Sequence, residues 1–235
     1  MRNIIDRPLF MKGQKMKPKL IIFDMDGLML DTEPLAIAGW KQTATKLGIA
    51  IPEEIYPSLI GLSAKTAKTR MLEYMGPDFD FDTALAMLHG YIDNYIDTHG
   101  VPLKPGLLYI LDKLEENNIR KCVATSTFHD RAVEKLKLAG IAHRFEAIIG
   151  GDQVTHSKPA PDIFLKAAGI CNTSPAECIV LEDSAAGTQA AFSAGIPVIV
   201  IPDLIPPSKT TRDQAYAICE NLITACDLIC EMPRN

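Results

Sequence analysis

Five short apolar runs punctuate the chain, at 20–23, 121–124, 147–149, 178–181 and 197–201, and most of them lack polar alternation. Strands that are apolar on both faces belong to parallel sheets covered by helices on either side. The stretches between the runs carry helical spacing, so the order of elements predicts an α/β fold. A sixth run, 228–230, is a weaker strand candidate.

The spacing of the runs is uneven in an informative way. About a hundred residues separate the first from the second, far more than the dozen or so that a parallel crossover needs. Within that gap Ala36, Trp40, Ala44 and Leu47 recur at helical spacing up to Gly48, and Leu85, Leu88, Ile92 and Ile96 do so up to Gly100. The expected organisation is a Rossmann-like parallel sheet core made of 16–33 and 101–235. A small α-helical cap domain, 34–100, is inserted on linkers near 32–34 and 100–105, and 1–15 forms an N-terminal tail. Trp40 is expected in the cap core, and the proline-bearing segment 205–212 as a surface loop.

Charge and cysteine usage narrow the setting. The chain has 24 basic against 29 acidic side chains, a net charge of −5, which argues against nucleic acid as a partner. No apolar run approaches the roughly 18 to 20 residues of a membrane span, so no membrane partner is expected. Asp6 and Pro8 break the first residues, so no secretory segment is read there. The six cysteines form no Cys-x-x-Cys pair and no Cys/His cluster, so they read as free thiols of a cytoplasmic protein, expected to be a monomer. Cys226 and Cys230, four apart, would share a face if their segment is helical.

In open α/β sheets ligands bind beyond the carboxyl ends of the strands, so the residues at those ends carry the functional argument. The first run passes into Asp24-Met25-Asp26-Gly27, the second into Thr125-Ser126-Thr127 and the fourth into Glu182-Asp183-Ser184. His156-Ser157-Lys158-Pro159-Ala160-Pro161-Asp162 follows the third, with two prolines stiffening the backbone around Lys158 and Asp162 able to cap the next helix. Acidic pairs, hydroxyls and lysines are each ordinary loop residues. Together they make a consistent set. Carboxylates converging on one sheet edge suit a hard cation such as Mg²⁺, while the hydroxyls and a fixed ammonium suit a phosphate. His156 is read as a loop histidine without a catalytic role.

At these residues the sequence resembles the haloacid dehalogenase-like superfamily, specifically its phosphatases and phosphomutases with a helical cap after the first motif. The likeness spans about 215 residues from Lys17 onward, through DMDGLMLDTE, VATS, SKPAPD and VLEDSAAGTQAAFSAG. It implies that Asp24 is a nucleophile forming an aspartyl-phosphate and that Asp26 is the general acid and base. It also implies that Thr125, Ser126 and Lys158 orient the phosphate. Mg²⁺ would be held by Asp24, the Asp26 carbonyl oxygen and Asp183, with Glu182 acting through water. The partner is then a small phosphorylated metabolite, and the activity Mg²⁺-dependent hydrolysis of a sugar phosphate or nucleoside monophosphate.

Within that superfamily the sequence is similar to the branch of β-phosphoglucomutases, 2-deoxyglucose-6-phosphate phosphatases and pseudouridine-5′-phosphatases. Two departures weigh against a mutase. Where β-phosphoglucomutases carry Gly-Val-Ser-Arg in the cap, this chain reads Gly61-Leu62-Ser63-Ala64, and where they carry a histidine after the first motif it has Ala36. Lys65 lacks the planar fork of an arginine. Gly61, Leu62, Ser63 and Lys65 are the candidate specificity residues. Phosphoryl shuttling is the alternative to hydrolysis, and a phospho-accepting signalling module is a second one, although a lone receiver would be about half this length and would lack the inserted helices.

Overall fold

The computed structural model describes residues 17–59, 62 and 64–233; the expected tail at 1–15, Gly61 and Ser63 lie outside them. Strand β1 (Leu20–Phe23) leads into four helices, α1 (Glu33–Leu47), α2 (Ile55–Ser58), α3 (Ala64–Met75) and α4 (Phe81–His99). The chain continues through α5 (Leu107–Glu116), β2 (Arg120–Ala124), α6 (His129–Leu138), β3 (Ile148–Ile149) and α7 (Asp162–Ile170). It closes with β4 (Cys178–Glu182), α8 (Ala185–Ser193), β5 (Val198–Val200), α9 (Lys209–Gln214), β6 (Ala217–Ile218) and α10 (Leu222–Cys230).

Among the described residues the strands form one six-stranded sheet in the order β3-β2-β1-β4-β5-β6, parallel throughout. The order reverses between β1 and β4, and crevices at such a switch point are where ligands enter this architecture. Side chains alternate across the sheet and sort into two cores. Ile21, Phe23, Ile179 and Leu181 pack on one face with α5, α6 and α10, while Leu20, Ile22, Cys178 and Val180 pack on the other with α7 and α8. Both faces are covered, which is why the runs lack alternation.

Helices α1, α3 and α4 bury a third core, with Trp40, Met71, Leu88 and Ile92 at its centre. In α4 the Asp80 carboxylate accepts from Thr83 N at 3.1 Å, and buried residues recur at 81, 84, 88, 92 and 96 until Gly100 ends the helix. The two connections to the sheet run side by side. Asp31 N donates to Pro102 O and Lys104 N to Met29 O, each at 2.9 Å, while Leu30 pairs with Leu103.

Several expectations from sequence change. The run 228–230 is helical, because Asn221 caps α10 and the apolar residues 222, 225, 226 and 229 form one buried stripe. Cys226 and Cys230 do share a face, their sulfurs 4.0 Å apart. The sixth strand is Ala217–Ile218, too short to leave a periodic signal. The segment 205–212 is a loop only as far as Ser208, whose hydroxyl accepts from Thr211 N and starts α9. Asp162 does not cap α7; its carboxylate instead accepts from His156 N and pairs with His156 Nδ1 at 3.0 Å.

Candidate active site

Register brings the acidic strand ends together. Phe23 lies opposite Leu181 of β4 and Val123 of β2, so the next residues, Asp24, Glu182 and Ala124, stand abreast, and Asp24 N still donates to Leu181 O at 3.0 Å. The carboxylates of Asp24, Glu182 and Asp183 all lie within 4.8 Å of one another. Lys158 crosses from the loop before α7 to meet them, its Nζ 2.5 Å from Asp24 Oδ1 and 2.7 Å from Glu182 Oε1. Its ammonium also sits over the Phe164 ring, 4.8 Å from the centroid.

Glu182 is fully buried and is held from both sides. Lys158 takes one oxygen, while Ser184 N and Ser184 Oγ donate to the other at 2.7 and 2.9 Å. The Ser184 hydroxyl in turn accepts from Gly187 N, capping α8. A Cβ at Gly187 would fall on the Glu182 carboxylate, so glycine is required by close approach there. Gly27 has φ +84, and a Cβ on it would come within 2.5 Å of Asp183 Oδ2. Glu182, expected from sequence to act on a cation through water, also forms a direct ion pair with Lys158.

The electrostatics are those of crowded like charges. Burial pushes the Asp24 carboxyl up to about 7 and Glu182 and Asp26 push the same way, with Lys158 pulling against them. Burial, then Glu182, Asp24 and Glu33, push Asp183 well above the carboxylate range. Burial disfavours the Lys158 charge, but Asp24 and Glu182 outweigh it and hold the ammonium charged beyond its usual range. Three clustered carboxylates with one ammonium paired to two of them are under-compensated, and a hard divalent cation is the group that such an oxygen set fits.

Asp26 is handled differently. Burial works to raise it, but the Lys135 ammonium and the hydroxyls of Thr127 and Thr32 outweigh burial and lower its pKa. Oδ1 accepts from Thr32 Oγ1 and Lys135 Nζ, each at 2.8 Å, and Oδ2 accepts from Thr127 Oγ1 at 2.7 Å. Thr32 and Lys135 were not among the candidates from sequence, and Thr127 was read there only as one of the hydroxyls suited to a phosphate. Lys135 stands one helical turn after Arg131 on α6, a spacing that places both on the side facing the site.

A cavity of about 270 Å³ opens above these groups. Asp24, Asp26, Thr125, Ser126, Lys158, Glu182 and Asp183 line its floor, while its roof comes from α1, α3 and α4 and the segment before α3, through residues such as Trp40, Leu62, Leu88 and Ile92. Thr125 is buried and accepts from Thr127 N through its hydroxyl. Leu62 lines the roof, whereas Lys65 is exposed and does not line the cavity. Arg131, which lines the cavity, donates from Nη2 to Asp93 Oδ1 of α4 at 2.7 Å, tying the helical layer to α6.

Fold and site together define a hydrolase class, and comparison with known proteins agrees. The profile of the haloacid dehalogenase-like hydrolases matches residues 21–201, and the chain belongs to that family. It is 29% identical over 176 residues to the "Phosphorylated carbohydrates phosphatase" of Thermotoga maritima, covering 75% of this chain and 81% of that protein. It is 31% identical over 188 residues to the "Probable pseudouridine-5′-phosphatase" of Drosophila melanogaster, covering 77% and 80%. The crystal structure of a β-phosphoglucomutase from Clostridium difficile matches with a TM-score of 0.72 at 26% identity, covering 87% of this chain and 92% of that one. No helix of the described residues is long and apolar enough to cross a membrane.

Proposed function

We propose that the protein is a Mg²⁺-dependent phosphatase that hydrolyses a small phosphate monoester, a sugar phosphate or nucleoside monophosphate, through an aspartyl-phosphate on Asp24. The observation that carries this reading is the convergence of the Asp24, Glu182 and Asp183 carboxylates at the floor of a roofed cavity, where Lys158 pairs with Asp24 and Glu182. The matched relatives include proteins named as phosphatases, which supports the same reaction class.

In this reading Lys158, Thr125 and Ser126 hold the non-bridging oxygens of the phosphate while an Asp24 oxygen attacks phosphorus and the bond to the leaving oxygen breaks. Asp26 protonates that oxygen, then takes a proton from the water that attacks phosphorus, and Asp24 is released. Mg²⁺, held by the Asp24 and Asp183 carboxylates with the Asp26 carbonyl oxygen, would cancel the repulsion between an attacking carboxylate and a phosphate dianion. Helices α1–α4 act as a cap that excludes bulk water and selects the ester, with Leu62 and its neighbours Gly61 and Ser63 as specificity residues.

Hydrolysis is favoured over a mutase reaction by the roof. Ala64 and Ala36 both line the cavity, so the positions where the related mutases carry an arginine and a histidine present only methyl groups. The test is phosphate release from a panel of sugar phosphates and nucleoside monophosphates with Mg²⁺ or EDTA, using wild type and Asp24→Asn. Release that needs Mg²⁺ and is lost in the variant is expected. Absence of release from every ester overturns the reading, and conversion of β-glucose 1-phosphate with a bisphosphate primer would then identify a mutase.

A further inference from the structure

An ionised carboxylate offers about four lone-pair sites, two on each oxygen. On Asp26 both sites of Oδ1 are taken, by Thr32 Oγ1 and Lys135 Nζ, whereas Oδ2 receives one donor among the described residues, Thr127 Oγ1. Lys135 lines the cavity and its side chain is 13% exposed, so its ammonium has left most of its water to reach this carboxylate. Desolvating a lysine is costly, which makes such a pair a poor choice for stability alone. Lys135 pairs with no other carboxylate among the described residues.

We propose that Lys135 is a positioning residue for the reaction: by saturating Oδ1 together with Thr32, it turns Oδ2 of Asp26 into the one atom that gives and receives the proton. The inference rests on the phosphatase reading above. In the first half-reaction the bond between Asp24 and phosphorus forms, the bond from phosphorus to the leaving oxygen breaks, and the proton on Oδ2 moves to that oxygen. In the second, the oxygen of water bonds to phosphorus, its proton moves to Oδ2, and the bond from Asp24 to phosphorus breaks. Thr127, the only donor on Oδ2 among the described residues, holds that oxygen in place and leaves its second site free for the proton.

A residue that acts through the general acid is recognised by leaving-group dependence. Wild type, Lys135→Met and Lys135→Arg are compared on p-nitrophenyl phosphate, whose phenolate departs without a proton, and on glucose 6-phosphate and uridine 5′-phosphate, whose alkoxides need one. Lys135→Met is expected to lower kcat/KM on the faster alkyl ester by about 100-fold or more and on the aryl ester by less than about threefold. It should also give a burst of p-nitrophenol, since release of phosphate from Asp24 still needs the base. Lys135→Arg is expected to recover most of the alkyl activity. Equal losses on both kinds of ester, or no loss on the alkyl ester, overturn the role. If Lys135→Met does not fold, Lys135→Gln is measured in its place. Wild type that releases no phosphate from any of the three esters overturns the phosphatase reading itself.

Discussion

Lys158 Nζ lies 2.5 Å from Asp24 Oδ1 in a buried setting, so the ammonium expected to face a phosphate already compensates the carboxylate expected to attack it. The same ammonium neutralises Glu182. Lys158→Met leaves both carboxylates buried without a cation, and the expected cost is roughly 3–5 kcal/mol of stability together with loss of phosphate release. Urea denaturation and the phosphate assay check the two effects separately. A variant as stable as wild type would show that the pair contributes nothing to the fold.

The approach of α8 to β4 gives a contrast between two glycines. At Gly187 an added methyl falls on the Glu182 carboxylate, so Gly187→Ala is expected to destabilise by about 1–3 kcal/mol. At Gly169 in α7 a Cβ meets nothing within 4 Å, so Gly169→Ala is expected to be neutral or to stabilise by up to about 1 kcal/mol. Thermal unfolding of the pair of variants reads the difference, and equal effects would contradict the packing at Glu182.

Much of this architecture was legible because burial on both faces of the sheet leaves apolar runs, and β1, β2, β4 and β5 all fall on such runs. Two-residue β6 and short α2 are fixed by their neighbours rather than by any pattern of their own. Asp24, Glu182 and Asp183 were readable because an acidic residue at the end of a buried strand is costly unless compensated. Lys135 was not, since a lysine on an amphipathic helix looks solvated in one dimension and only the packing of α6 against β3 beside the site reveals the carboxylate it meets. Glu182 was readable as an acid, but its pairing with Lys158 depends on how the loop before α7 folds back.

Away from the site, Glu115 accepts from Arg144 Nε and Nη2 at 2.9 and 2.8 Å and from Lys121 Nζ at 2.8 Å. The Arg144 and Lys121 hydrogen bonds lower its carboxyl to about 2. A carboxyl lowered on folding adds stability that is present above its unfolded value and disappears as pH falls through its folded one. Glu115→Gln is therefore expected to lower the thermal midpoint near neutral pH and to converge with wild type between about pH 4.5 and 2. The carboxylate is half-exposed, so the effect is small and shrinks further in salt. A difference that persists unchanged at pH 2 would contradict the assignment.

The exposed Lys65 stands outside the cavity lining while Ala64 and Ala67 beside it form part of the roof. Lys65→Ala is expected to leave kcat and KM within about twofold of wild type, as surface substitutions do. A tenfold rise in KM on the best ester of the panel would instead make Lys65 a substrate contact.

The central claim, covalent phosphorylation of Asp24, is tested most directly with Asp26→Asn given p-nitrophenyl phosphate and Mg²⁺, quenched in acid, digested and examined by mass spectrometry. The aryl ester needs no acid to leave, and the missing base stalls the second half-reaction, so a phosphate is predicted on the peptide that carries Asp24. It should be removed by hydroxylamine and absent when Asp24→Asn is added. Release of p-nitrophenol with that peptide unmodified, or phosphate found on another residue, would contradict the account.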